Sequence, residues 1–324
     1  MHLAIIVCAY TVDRWGDIVA GLGEARRQLS ASRHTGEVVL VVDHCPELYE
    51  RARGTFAGDD VRILENTRRR GLSGARNSGI TGVAADVYVF LDDDAVPEPE
   101  WLAALVAPFD DPAVIITGGA ATPRWPGGDR PSMLPAAVGD RGEFDWVVGC
   151  TYAGQPRTLS PVRNVMGCSM AMRAAVFSSA GLFGEDLGRV GTVPYGCEET
   201  ELCIRAASAP GSRILFEPRS MVRHRVTPQR TTWSYLWHRC YAEGVSKAAV
   251  AVRTTQRAAL SAETTYTTHV LPRGVVRELL AVPRRGRHAA AGAGAIMSGL
   301  FVTMVGYLVG RLAIRSTHDL RGNS

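Results

Sequence analysis

Residues 87–102 read VYVFLDDDAVPEPEWL, and the reading of the fold turns on them. Five apolar or aromatic residues in a row, Val87 to Leu91, predict a strand buried on both faces, as strands of a parallel sheet are. The strand ends in three carboxylates, Asp92, Asp93 and Asp94. Like charges packed this tightly are costly unless a cation or ordered donors offset them. A divalent ion bridging to a diphosphate supplies that offset, because hard oxygen ligands suit Mg2+ or Mn2+. The competing explanation is a polar turn after a strand, where aspartate is common.

Upstream, LAIIVCAY (3–10), EVVLVVDH (37–44) and VRILEN (61–66) are further strand-like runs, separated by helical patterning over 17–31, 47–56 and 72–84. This alternation predicts an α/β fold with a mostly parallel central sheet and helices on both faces. Ligands of such sheets bind beyond the carboxyl ends of the strands, which is where each acidic cluster falls. Downstream, strands are expected at 113–120, 164–173 and 213–218, and helices at 174–180, 198–209 and 231–252. Residues 123–161 read as loop.

The composition is that of a globular chain: 324 residues, 46% hydrophobic and 21% charged. A net charge of +4 is too small to imply nucleic-acid binding, and none is expected. Of the 36 basic residues, Lys247 alone is lysine. Seven cysteines with no CxxC pair point to reduced thiols rather than zinc. MHLAIIVCAY lacks a basic leader and a cleavage site, so it reads as a first strand. At the other end, residues 289–310 form an uncharged apolar run long enough to span a bilayer. Arg284, Arg285, Arg287 and His288 precede it and place that flank on the cytoplasmic side. A buried or interfacial helix is the alternative. The division expected is a catalytic domain over 1–226, a helical extension over 227–283, and a basic flank with a membrane-associated segment over 284–324.

Four other features carry chemistry. Tyr10, Asp43 and the segment 66–77 (NTRRRGLSGARN) gather at the ends of the first three strands, where Arg76 could hold a diphosphate or a nucleobase. Glu198, Glu199 and Glu201 open a helix in GCEETELCIR; alone they read as partners of the helix dipole, although a carboxylate there could take a proton from a hydroxyl. His224, after the strand expected at 213–218, is a candidate metal ligand. The aromatic and basic segment WSYLWHRCYAEGVSK (233–247) suits core packing, an acceptor or a membrane surface.

Taken in order, VCAYT, VVD, GLSGARNSGI, FLDDDA, MGCSMAMR and EETELCIR resemble family 2 glycosyltransferases of the GT-A fold, over residues 3–226. VVDHC, DWVVGCTY and RCYAEGVSK look like a subgroup, the glucosyl-dolichyl-phosphate glucuronosyltransferase-like transferases. The resemblance implies an inverting transferase that moves a sugar from a nucleotide-diphosphate sugar, UDP-linked by expectation, to an acceptor hydroxyl. Asp43 would contact the base, with Tyr10, Arg76, Asp92 and Asp93 also in the donor site. Asp94, Asp92 and His224 would hold Mn2+ or Mg2+. The family's Glu-Asp pair is Glu-Glu here, leaving the general base between Glu199 and Glu198, and His44 stands where a second Asp follows the second strand. The acceptor would be a glycan, a lipid-linked molecule or a small molecule, met at the cytoplasmic face of a membrane. The glycine-bearing loop 184–196 would close over the donor as a lid. Two rivals are a metal-dependent nucleotidyltransferase and a non-catalytic, membrane-docked nucleotide-sugar binding module.

Overall fold

The computed structural model describes residues 1–58, 61–186, 196–253 and 264–322. They form two compact units, one of residues 1–58, 61–122, 156–186 and 198–225, the other of 123–155, 196–197, 226–253 and 264–322. Residues 123–155, which the sequence reading groups with the catalytic domain, thus pack with the C-terminal helices. In the loop expected as a lid, residues 187–195, with Gly188 and Gly191, lie outside the described residues.

In the first unit, β1 (His2–Ala9), β2 (Thr35–Val42), β3 (Val61–Glu65) and β4 (Val87–Asp92) pair in parallel in the order β3-β2-β1-β4. Beyond β4 the sheet continues with β8 (Ser169–Arg173), β6 (Val114–Arg124), β9 (Arg213–Arg225) and β5 (Ala95–Pro97). The β4–β8, β8–β6 and β9–β5 pairs are antiparallel, and so is β7 (Ser160–Pro161) against β9.

Side chains alternate between the two faces of the sheet, as the pleat requires. Leu3, Ile5 and Val7 pack with Ile18, Leu22 and Ala25 of α1 (Trp15–Ser30), Leu48 of α2 (Pro46–Thr55) and Trp101 of α4 (Trp101–Val106). Ala4, Ile6 and Cys8 pack with Ala75 and Ile80 of α3 (Leu72–Gly82), Val176 of α5 (Ala174–Ser179) and Leu202 of α6 (Glu198–Ala206). A buried Leu or Ile is worth about 2 kcal/mol, so a one-residue slip of β1 would forfeit both sets of contacts at once.

Two strands differ from expectation. The strand sought at 164–173 begins at Ser169, because the preceding segment turns the carbonyl of Gly167 toward the guanidinium of Arg76. The strand sought at 213–218 runs on to Arg225. Pro218 does not stop it: pairing resumes at Val222, Arg223 and His224, opposite Pro97, Val96 and Ala95.

The second unit holds α7 (Trp233–Arg253), α8 (Leu271–Arg285) and α9 (Arg287–Gly322). Its core gathers Phe144, Val147, Leu236, Cys240, Leu271 and Ile296. α7 and α9 lie side by side and parallel: Trp237 Nε1 donates to Ser298 Oγ at 3.1 Å, and farther along both helices Gly310 lies against Ala248. Their backbones nearly touch at Gly306, where an added Cβ would stand 2.3 Å from the carbonyl oxygen of Tyr241. The stretch Arg287–Ile314 of α9 is long and apolar enough to cross a membrane.

Candidate active site

The carboxyl ends of β1, β2 and β4 bring the first cluster together. Asp43 follows β2, its amide donating to the carbonyl of Ala9 at 2.7 Å, and Cys8 and Asp92 are register partners across β1 and β4. Asp93 and Asp94 occupy the turn after β4, and β5 begins at once. Because β5 pairs antiparallel with β9, Ala95 stands opposite His224, and the amide of Arg225 donates to the carbonyl of Asp94 at 2.8 Å. That register sets the imidazole against the aspartates. His224 Nε2 lies 3.1 Å from Asp94 Oδ1, with both side chains buried.

One ligand atom each from Asp92, Asp94 and His224 falls within 4.8 Å of the other two. Two carboxylates and an imidazole suit a divalent ion such as Mn2+ or Mg2+. Among the described residues His224 Nδ1, buried, has no hydrogen-bond partner, so no contact there fixes the tautomer and Nε2 can present a lone pair. The three residues can therefore hold a metal. Asp93 points elsewhere. Its Oδ1 accepts from Arg14 at 2.5 Å, while its buried Oδ2 has no hydrogen-bond partner among the described residues. Burial raises the Asp93 carboxyl well above the ordinary range, with Arg14 opposing the rise and Asp94 adding to it. Desolvation pushes up the buried thiols of Cys8 and Cys168 beside the cluster.

A second cluster is built on Arg76, whose side chain α3 buries almost completely. It donates to Glu198 Oε1 and to the carbonyl of Gly167, each at 2.9 Å, and its Nη2 lies 3.5 Å from Asp92 Oδ1. Arg76 thus ties the first turn of α6 to Asp92. Glu198 is buried and committed to this pair; its neighbour Glu199 is half-buried on the same turn.

The third cluster shapes a loop. Asp43 accepts from Asn66 Nδ2 at 2.6 Å and from the amide of Gly71 at 2.9 Å, folding 66–71 around its carboxylate. His44 Nδ1 lies 2.9 Å from Asp43 Oδ1, the oxygen that accepts from Asn66, and its backbone is in the left-handed region at φ 50. Gly74 packs so closely that a Cβ would stand 2.0 Å from the carbonyl oxygen of Arg69. Arg68 pairs with Glu185 at 3.1 Å.

One residue escaped the sequence reading. Arg14, in the turn after β1, pairs with Asp93 and Asp94 and donates to the Tyr10 hydroxyl at 3.4 Å. It belongs to no motif; the signal was a lone cation among Asp13, Asp17 and the strand-end Tyr10.

A doubly covered sheet with an aspartate–histidine cluster at its carboxyl edge is the arrangement expected of the GT-A glycosyltransferases. The family description "Glycosyl transferase family 2" matches residues 4–180, more than half of the chain, and the chain belongs to that family. It is 29% identical over 249 residues to the glucosyl-dolichyl phosphate glucuronosyltransferase of Haloferax volcanii, covering 76% of each chain. Among solved structures, the Pyrobaculum calidifontis mannosyltransferase in complex with GDP-Man and Mn2+ superposes with a TM-score of 0.59 at 18% identity, covering 95% of this chain and 86% of that one. GalNAc-T7 with UDP, GalNAc and Mn2+ superposes with a TM-score of 0.51 at 16% identity, covering 87% and 58%. The enzyme class is settled: the chain is a glycosyltransferase, and neither the nucleotidyltransferase nor the non-catalytic binding module stands.

Proposed function

We propose that the chain is an inverting glycosyltransferase that moves a sugar from a UDP-linked donor to the hydroxyl of a lipid-linked acceptor. The observation that carries this reading is the convergence of Asp92, Asp94 and His224 at the carboxyl edge of the sheet. These residues would hold Mn2+ or Mg2+, which when bound supplies charge stabilisation for the departing nucleotide. Asp43, with the loop it folds, forms the base side of the donor pocket, and Tyr10 offers its ring beside it. Arg76 keeps Asp92 in place and locks Glu198 as its counter-ion. With Glu198 so committed, Glu199 is the residue to take the acceptor's proton as its oxygen attacks the anomeric carbon from the face opposite the diphosphate. One displacement with one base inverts the anomeric configuration.

The Haloferax volcanii likeness supports a polyprenyl-phosphate-linked sugar as acceptor. The helical unit supports a membrane as its setting, met on the cytoplasmic face through the basic run 284–288. On this reading α9 lies along the bilayer rather than across it. A transverse α9 would carry its parallel neighbour α7, with the Arg239, Glu243 and Lys247 charges, into hydrocarbon.

Isothermal titration and turnover assays test the site. Asp94→Asn is expected to remove Mn2+-dependent UDP binding; unchanged UDP affinity in saturating Mn2+ refutes the metal assignment. Glu199→Gln is expected to lower turnover by orders of magnitude while UDP still binds. If it turns over like the parent, the base lies elsewhere.

A further inference from the structure

The aspartate cluster already has a cation. Arg14 Nη1 lies 2.5 Å from Asp93 Oδ1 and 3.0 Å from Asp94 Oδ2, and its Nη2 reaches the Tyr10 hydroxyl. The guanidinium sits 5.2 Å from the centre of the Tyr10 ring and is mostly buried. Asp94 is therefore shared: one oxygen faces Arg14, the other His224. The buried, unpartnered Oδ2 of Asp93 shows that Arg14 alone does not satisfy the cluster. A metal ion on Asp94 would stand next to a guanidinium that already occupies the same carboxylate, and the two cations repel. Arg14 needs an anion to move to. A diphosphate bridged by the metal is such an anion, and its oxygens match the planar fork of a guanidinium.

We propose that Arg14 is a resident counter-ion of the metal-binding aspartates whose guanidinium passes to the donor's diphosphate when the divalent ion binds. It makes metal and nucleotide bind with positive coupling and disfavours either alone. This rests on the metal site proposed above, at Asp92, Asp94 and His224. It extends that site by a residue that acts on the order of loading.

Titration calorimetry on the full chain tests it, with Mn2+ alone, UDP or GDP alone, and each nucleotide at saturating Mn2+. Arg14→Gln is expected to bind Mn2+ alone about fivefold tighter or more than the parent, and to lose most of the coupling between Mn2+ and nucleotide. Arg14→Lys keeps a charge but not the fork, and is expected to hold Mn2+ affinity near the parent's while weakening nucleotide binding at saturating Mn2+. This second variant, with thermal melts of both, separates the proposal from a simple loss of folding. An Arg14→Gln protein that folds, binds Mn2+ no tighter and retains full coupling overturns the proposal. Asp94→Asn distinguishes the two layers. If Asp94→Asn still binds Mn2+ as the parent does, the metal site itself is wrong. If it loses Mn2+ while Arg14→Gln leaves the coupling intact, only the role of Arg14 fails.

Discussion

Arg76 and Glu198 form a pair with almost no exposed surface, 2% and 5% at the side chains. A charge this deep is tolerable only while its partner stays charged, because removing one member leaves the other desolvated and unpaired. Glu198→Gln is therefore expected to destabilise the fold by about 3 kcal/mol, read as a lowered urea midpoint. Glu199→Gln, half-buried beside it, is expected to leave that midpoint near the parent's. Equal midpoints for the two variants would contradict this separation of roles. Sequence alone left the pair undivided, since both residues sit in one acidic first turn and nothing in EETELCIR says which carboxylate α6 turns inward. Asp92, Asp94 and His224 stood out in the sequence because few side chains suit a divalent ion, and the structure brings the three together. Arg14 was not, because its partners lie 79 and 80 positions away and a lone arginine in a turn has no pattern.

The elements place these residues, and two of them carry tests of their own. Loop 66–71 is wrapped on Asp43 and closed by Gly74, where any side chain meets the carbonyl of Arg69. Gly74→Ala is expected to cost about 1–3 kcal/mol and to weaken nucleotide binding in calorimetry, because relieving the clash moves the loop off Asp43. In α7, Glu243 is half-buried between Arg239 at 2.7 Å and Lys247 at 3.1 Å. Burial pushes its carboxyl up, but Lys247 and Arg239 outweigh that and hold it down at about 2. An unfolded glutamate titrates near about 4.3, so the folded state gains about 3 kcal/mol from ionised Glu243 above that pH. The gain is lost as pH falls toward 2. The stability difference between the parent and Glu243→Gln, measured by urea unfolding, should thus be full at pH 7 and shrink steadily below pH 4; a constant difference would contradict it. The parallel strands were legible from their unbroken apolar runs. The length of β9 was hidden by Pro218, which reads as a strand end although pairing with β5 resumes beyond it.

At the scale of the whole chain, the helical unit carries the features that bear on a membrane setting. α8 exposes Val276 with Leu279 and Leu280 one turn on, and α9 exposes Met297, Phe301, Met304, Leu308 and Leu312, spaced three or four apart so that they line one helix face. Arg273, Arg284, Arg285, Arg287 and His288 are exposed beside the first set. Apolar stripes flanked by arginine suit the boundary of an anionic bilayer. Deleting residues 284–324 is a poor test, because Ala289, Ala293, Ala295 and Ile296 of α9 are fully buried and their loss would open the core of the unit. Point changes on the exposed stripe leave that core intact. In vesicle flotation, the full chain is expected to bind vesicles containing phosphatidylglycerol and to bind pure phosphatidylcholine less. Leu279→Glu with Leu280→Glu should release it without lowering its melting temperature. A helix on the surface, held partly by arginine, is also released by high salt, whereas a helix across the bilayer is not, since burial of some twenty apolar residues does not depend on ionic strength. Retention on vesicles at about 1 M salt and after alkaline wash, with residues beyond Gly310 protected from added protease, would show that α9 spans after all.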